Sequence, residues 1–284
     1  MRVPFNDLSR GGEQSAALET AFGRVLARGR FVLGEEVASF EDEFARYCGV
    51  EHCIGVANGS DALEIALRAA QIGHGDQVIT VANAAMYASL AILACGATPV
   101  YADVDPQTLT ISPGSVEAAL SPRTRALIVT HLYGRLADIG QVRRVVRERA
   151  IIIEDCAQAH GARTAEGRAG GLASAGCFSF YPTKNLGALG DGGAITTADP
   201  ELARRARALR QYGWDGKYRV TLHGGRNSRL DEVQAAILRE RLPNLDACNA
   251  QRRAIAAAYA RRIRHPAITF VDPPGPAESS VAHL

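Results

Sequence analysis

One of only two lysines in this chain, Lys184, sits in the stretch FYPTKNLGALGDGGAI, between an apolar run and a glycine-rich turn. A lysine held where few polar groups surround it gives up its proton more readily and becomes a nucleophile toward a carbonyl. The plainer reading is a solvated loop lysine. A second stretch, IIIEDCAQAHG, closes an isoleucine-rich run with Glu154 and Asp155, followed by Gln158 and His160. An acid at the end of a buried strand is unfavourable unless it is paired, and a partner that stays protonated would satisfy it. One Asp and one His are too few ligands for a metal, so none is expected there. A third, GVANGSDALEIAL, leaves a strand and opens a helix at Gly59 and Ser60. Free N–H groups and a hydroxyl at a helix start suit a phosphate, and they equally suit an ordinary N-cap by Asn58 or Ser60. The stretch is neither a dinucleotide fingerprint nor a P-loop. Ser179, near the end of CFSFY, is delivered to the same edge as Lys184. Asn227 and Arg229, in GGRNSRLDEVQAA, precede another helix and by themselves mark only its start.

Something must hold these residues together. Seven short apolar runs read as strands: Cys53–Val56, Val78–Val81, Pro99–Ala102, Leu127–Thr130, Ile151–Glu154, Cys177–Tyr181 and Ala194–Thr197. Several are continuous rather than alternating, as strands buried on both faces are. SDALEIALRAAQI and DIGQVRRVVRER carry apolar residues at helical spacing between strands. Strand–helix alternation predicts an α/β fold with a mainly parallel sheet, whose ligands lie beyond the carboxyl ends of the strands. After Thr197 the spacing predicts helices over Glu201–Tyr212, Leu230–Leu242 and Leu245–Ile263, then a strand at Ile268–Val271 and a Pro/Gly-rich loop.

Composition narrows the class. With 284 residues, 47% of them hydrophobic, the chain can bury a large core, and its net charge of +2 points to neither nucleic acid nor an anionic membrane. The arginine clusters alternate with apolar residues and read as outer helix faces. Six scattered cysteines with no CxxC pattern read as reduced buried thiols, and MRVPFNDLSRGGEQ has no apolar signal core. A soluble cytoplasmic protein is the expectation.

A phosphate cradle, a buried acid and a lysine able to form a Schiff base are together the parts that hold pyridoxal phosphate. IIIEDCAQAHGA, GCFSFYPTKNLGALGDGGAI and NSRLDEVQAAIL resemble signature blocks of the DegT/DnrJ/EryC1/StrS family, pyridoxal-phosphate aminotransferases that act on nucleotide-linked keto sugars. The resemblance begins at VPFNDLSR, continues through RGRFVLGEEVASFEDEFARYCGV and GVANGSDAL, and covers essentially the whole chain. It implies the aspartate-aminotransferase fold (fold type I), with a large domain over 1–240 that includes an N-terminal arm. A small C-terminal domain would begin at 241–284 and be left incomplete at Leu284.

The resemblance also assigns roles. Lys184 would be the aldimine lysine and proton shuttle, and Asp155 would face the pyridinium nitrogen. Gln158 would lie near the ring's phenolic oxygen, and Gly59, Ser60 and Ser179 would bind the phosphate. Asn227 would reach the phosphate of a neighbouring subunit, which implies a homodimer with shared sites. Glutamate is the usual amino donor, and a dTDP-linked keto-deoxyhexose is the expected acceptor, with the third carbon favoured. Lys184 itself argues against the family's dehydratase branch, which carries histidine there. Much of the family stacks an aromatic residue on the ring where this chain has Ala85, with Met86 and Tyr87 just after; either one of these, Tyr87 first, swings in to supply that contact, or this branch holds the ring differently. The alternatives are a keto-inositol or aminoaromatic branch, or an inactive homologue that pairs with a longer enzyme.

Overall fold

The seven apolar runs form one seven-stranded sheet. In the computed structural model, which describes Leu8, residues 15–271 and residues 279–283, its strands are β1 (His52–Val56), β2 (Gln77–Val81), β3 (Thr98–Ala102), β4 (Thr124–Thr130), β5 (Ile151–Asp155), β8 (Ala175–Ser179) and β9 (Gly193–Thr197). A two-stranded ribbon, β6 (Arg163–Thr164) and β7 (Gly167–Arg168), lies between β5 and β8 in the chain. The sheet order is β1-β9-β8-β5-β4-β2-β3. Every neighbouring pair is parallel except those of β9, which runs antiparallel to both β8 and β1. A parallel return needs a crossover, usually helical, whereas an antiparallel return can be a loop. The glycine-rich stretch after Phe180 has no helical pattern, so β9 comes straight back and Lys184 hangs in the loop at the carboxyl ends of the parallel strands.

Helices cover both faces. Helices α3 (Gly59–Ala69), α4 (Tyr87–Ala94) and α7 (Pro200–Leu209) join the apolar layer around Ile54, Ile128 and Ile153. Helices α2 (Glu35–Cys48), α5 (Pro113–Ala119), α6 (Ile139–Val146) and α8 (Glu232–Arg241) join the layer around Phe40, Phe44, Leu127 and Phe178. Helix α1 (Ser15–Arg28) packs on α8, and α9 (Leu245–Arg262) follows α8 after a short 3₁₀ turn.

Several expected bounds shift by a few residues, among them the strand expected at Cys177–Tyr181, which runs Ala175–Ser179. Helix α7 begins at Pro200, because Asp199 accepts from Glu201 and Leu202 N–H, and stops at Leu209. The next helix begins at Glu232, because Asp231 before it is extended, although its side chain makes no cap bond. Ile268–Val271 is not a strand: the four residues are exposed and pair with no described strand. Apolar β-branched sequence alone does not make a ladder. The expected N-terminal arm at VPFNDLSR lies outside the described residues apart from Leu8.

Candidate active site

Strand alternation separates the two adjacent acids of β5. Asp155 shares a face with Ile153, whereas Glu154 shares the opposite face with Ile152. Glu154 is fully buried and structural. It accepts from the N–H groups of Gly170 (3.1 Å), Leu172 (2.9 Å) and Ala173 (3.0 Å). It also accepts from His131 Nε2 (2.9 Å), which carries the proton because His131 Nδ1 accepts from Ala137 N–H. His131, Glu154 and Cys156 thus bring ligand-type atoms within 4.8 Å, a cluster that spacing did not reveal, but these hydrogen bonds already engage the acid and the imidazole. Burial pushes the Cys156 thiol well up, so it is no ready metal ligand.

Asp155 is buried with much weaker support. Its Oδ1 accepts from Ala157 N–H (3.1 Å) and its Oδ2 from the Thr130 hydroxyl (3.3 Å). Burial raises its pKa, and the Ala157 N–H, His131 and Lys184 only partly offset this. It is a buried acid with no bonded cation among the described residues.

Lys184 supplies the complementary case. Burial lowers its pKa, while the charge of Asp155 pulls it back up. No described residue accepts a hydrogen bond from its amine. The loop around it is tied from all sides: Lys184 N–H donates to Tyr181 O (2.8 Å), Ala188 N–H to Phe180 O (2.7 Å), and Leu189 N–H to Gln234 (2.8 Å). Gly187 has no room for a side chain, since a Cβ there would lie 2.6 Å from Pro182 O.

The phosphate candidates also converge. Asn58 caps α3 by accepting from Asp61 N–H (2.8 Å), which leaves the N–H groups of Gly59 and Ser60 without a bonded acceptor among the described residues. A Cβ on Gly59 would sit 2.7 Å from Ser179 Cβ, so the helix start and the end of β8 touch only because residue 59 is glycine. Gln158 accepts from Tyr133 N–H (2.6 Å) and so ties the site to the loop after β4.

The remaining expected residues are placed differently. Asn227 is exposed and makes no side-chain hydrogen bond among the described residues. Its buried neighbour Ser228 accepts from Ala57 N–H (3.0 Å), which brings that segment to the start of α3. Met86 (66% exposed) and Tyr87 (58% exposed) open α4 and make no ring contact among the described residues, after Ala85 in a left-handed conformation. The sequence reading missed Thr130 and His131, although the THL that ends the run LIVT was the available signal.

Among the described residues these fit pyridoxal phosphate: a buried acid with no bonded cation, an amine with no bonded acceptor whose charge the acid feels, and free N–H groups at a helix start. The comparisons agree. The model of the DegT/DnrJ/EryC1/StrS aminotransferase family matches residues 13–284. The dTDP-3-amino-3,4,6-trideoxy-alpha-D-glucose transaminase of Streptomyces venezuelae is 50% identical over 91% of this chain and 68% of its own length. The dTDP-3-amino-3,6-dideoxy-alpha-D-galactopyranose transaminase of Aneurinibacillus thermoaerophilus is 49% identical over 94% of this chain and 74% of its own. The crystal structure of S. venezuelae DesV in complex with a ketimine intermediate superposes with a TM-score of 0.90 at 46% identity, covering 99% of this chain and 76% of that one. The chain thus spans about two thirds to three quarters of these relatives. It belongs to the DegT/DnrJ/EryC1/StrS aminotransferase family, pyridoxal-phosphate enzymes of the aspartate-aminotransferase fold.

Proposed function

We propose that this chain transfers an amino group from glutamate to a keto group of a dTDP-linked deoxyhexose, at the third carbon. The observation that carries the reading is the half-buried Lys184 amine, with no bonded acceptor among the described residues, within electrostatic reach of the buried Asp155 at the carboxyl edge of the sheet. Two relatives near 50% identity are named for 3-amino dTDP sugars, which supports both the nucleotide and the position.

When bound, pyridoxal phosphate supplies the electron sink that lets an amino group pass between two carbonyl compounds. Asp155 would hold a proton at the ring nitrogen, and the cation so formed satisfies its own buried charge. Lys184 would hold the cofactor covalently and then, as a free amine, move a proton from the carbon that bears the nitrogen. Its lowered pKa keeps more of that amine in the basic form near neutrality. The Gly59 and Ser60 N–H groups, with the Ser179 hydroxyl, would bind the phosphate, and Gln158 would lie against the ring. Tyr87 or Met86 would cover the ring from the α4 side.

The same reading includes a homodimer in which Asn227 completes the partner's phosphate site, and a cytoplasmic location. No described helix is long and apolar enough to cross a membrane. It also divides the chain near residue 240 into a cofactor-holding sheet domain and the start of a smaller unit.

Borohydride reduction of the cofactor-loaded protein, followed by peptide mass mapping, tests the centre of the proposal. A phosphopyridoxyl mass on Lys184, absent in Lys184→Ala, is expected. A folded protein with no adduct overturns the proposal.

A further inference from the structure

The residue after the reactive lysine is held by a hydrogen-bonded chain that crosses four separate segments of the sequence. His283 Nδ1 donates to Asn185 Oδ1 (2.8 Å), and Asn185 Nδ2 donates to Asn249 Oδ1 (2.8 Å) and to Val281 O (3.3 Å). Asn249 Nδ2 donates to His160 O (2.8 Å), and His160 Nε2 donates to Ser179 O (2.8 Å).

The direction is forced by chemistry. A backbone carbonyl can only accept, so Asn249 must turn its NH₂ toward His160 O and its oxygen toward Asn185. Asn185 must then answer with its own NH₂, which leaves its oxygen for the His283 N–H. Flipping either amide would set two donors or two acceptors face to face. Asn249 is 1% exposed, so a broken link would leave a buried polar group unsatisfied. The chain therefore selects one arrangement of the loop.

We propose that Asn185 and Asn249 are positioning residues whose amide chain clamps the loop around Lys184 to helix α9 and to the end of β8, keeping its amine out of water and beside Asp155. The proposal rests on the reading of Lys184 as the reactive amine. The same links join the lysine loop to Ser179, so amine and phosphate candidates move as one unit.

The groups that act on Lys184 are few. Asp155 at the end of β5 favours its charged form. His160, whose pKa burial lowers to about 3, and His283, lowered to about 4 with Arg252 also acting on it, both carry no charge near neutrality. Desolvation is the main influence on the amine, and desolvation is what a clamped loop maintains.

The sequence offers a clean measurement, because the only other lysine, Lys217, is exposed and serves as an internal standard. The full chain, freed of cofactor, is acetylated briefly at a series of pH values with a succinimidyl ester, and the two lysines are quantified by peptide mass. Variants are Asn185→Ala, Asn249→Leu, their combination, and Val116→Ala, a buried truncation on α5 that serves as a control for general loosening. Should Asn249→Leu fail to fold, the half-buried Asn185→Ala still carries the test.

In each amide variant, the midpoint of the Lys184 labelling curve is expected to move to higher pH. Labelling relative to Lys217 should fall several-fold on the rising limb, while the high-pH plateau is kept or raised. The double variant should move no further than the larger single one, because both break the same chain. Val116→Ala should leave the midpoint in place. Wild-type curves in the folded amide variants, fully additive shifts, or an equal shift in Val116→Ala would each overturn the proposal. The labelling needs no cofactor, so a failed borohydride test would sink the functional reading without deciding this one.

Discussion

Asp155 and Glu154 are chemically similar neighbours whose different surroundings assign them different work. Glu154 receives three backbone N–H groups and an imidazole N–H, so its charge is fully engaged in holding the loop at 170–173. Asp155 receives one N–H and one hydroxyl and remains short of positive charge. Asp155→Asn keeps an oxygen for those two donors but cannot hold a protonated ring nitrogen. The half-reaction with glutamate should slow by about 10² to 10³-fold, as for loss of an aimed electrostatic partner, with the fold retained. Single-turnover absorbance measures it, and a loss under about tenfold would remove Asp155 from the role. A second prediction concerns acid stability. Burial holds His160 near pKa 3, against about 6.5 unfolded, so below pH 6.5 the unfolded chain binds a proton that the folded chain refuses. Stability should fall with acidification, by roughly 2 to 3 kcal/mol at pH 4.5 from this group alone, at about 1.4 kcal/mol per unit. His283 acts with the same sign, while Asp155, with its raised pKa, acts with the opposite one. His160→Gln retains a donor toward Ser179 O and should flatten the slope of the urea midpoint between pH 6.5 and 4.5. An unchanged slope would assign the effect elsewhere. That Lys184, Asp155 and Ser179 gather at the carboxyl edge of the sheet was legible in sequence, because such residue types stand out at strand ends. Asn249 and His283 were not, because their partners lie 64 and 98 residues from them in the chain and neither type is unusual.

At the level of elements, apolar runs and caps carried the reading well. All seven strands were placed from short apolar runs, several of them continuous, and of the two caps weighed, Asn58 and Ser60, Asn58 holds the start of α3. Two features needed three dimensions. The antiparallel course of β9 follows from a helix-free return, but strand order cannot be read from a run. Glu232 lies in the first turn of its own helix, α8, where an acid is ordinary. Instead its buried carboxylate caps α2, accepting from Gly34 (2.8 Å), Glu36 (3.0 Å) and Val37 (2.9 Å) N–H groups nearly two hundred residues away. The closeness requires glycine at 34, where a Cβ would lie 2.6 Å from Glu232 Oε2. Glu232→Gln replaces one acceptor oxygen with NH₂ and removes the charge at the helix start. It should cost about 2 to 3 kcal/mol, the penalty for an unsatisfied buried group plus a lost dipole interaction. Urea denaturation gives the number directly, and a change below about 0.5 kcal/mol would show that water replaces the cap.

For the whole molecule, the open question is what covers the flank beside the site. Helix α4 carries no charged residue, and it leaves Tyr87, Leu90 and Leu93 exposed together with Met86 at its start. Ser89 and Tyr101 bond side by side (2.9 Å), which extends this face onto β3, one of the two edge strands of the sheet. Apolar side chains beside a strand edge are a poor surface for a lone chain in water. The flank begins where β2 ends, at the same carboxyl edge as Lys184, so a second copy seated there would lie against the site. That arrangement is what a shared phosphate cradle requires. Sedimentation at micromolar concentration should therefore show a dimer, and Leu90→Glu with Leu93→Glu should shift it toward monomer while helix content is kept. Transamination per chain should fall with the dimer fraction if, as proposed, the partner's Asn227 completes the phosphate site. Activity that survives in a proven monomer would place the complete site within one chain, and Asn227 would then act, if at all, from its own Ser228-anchored segment.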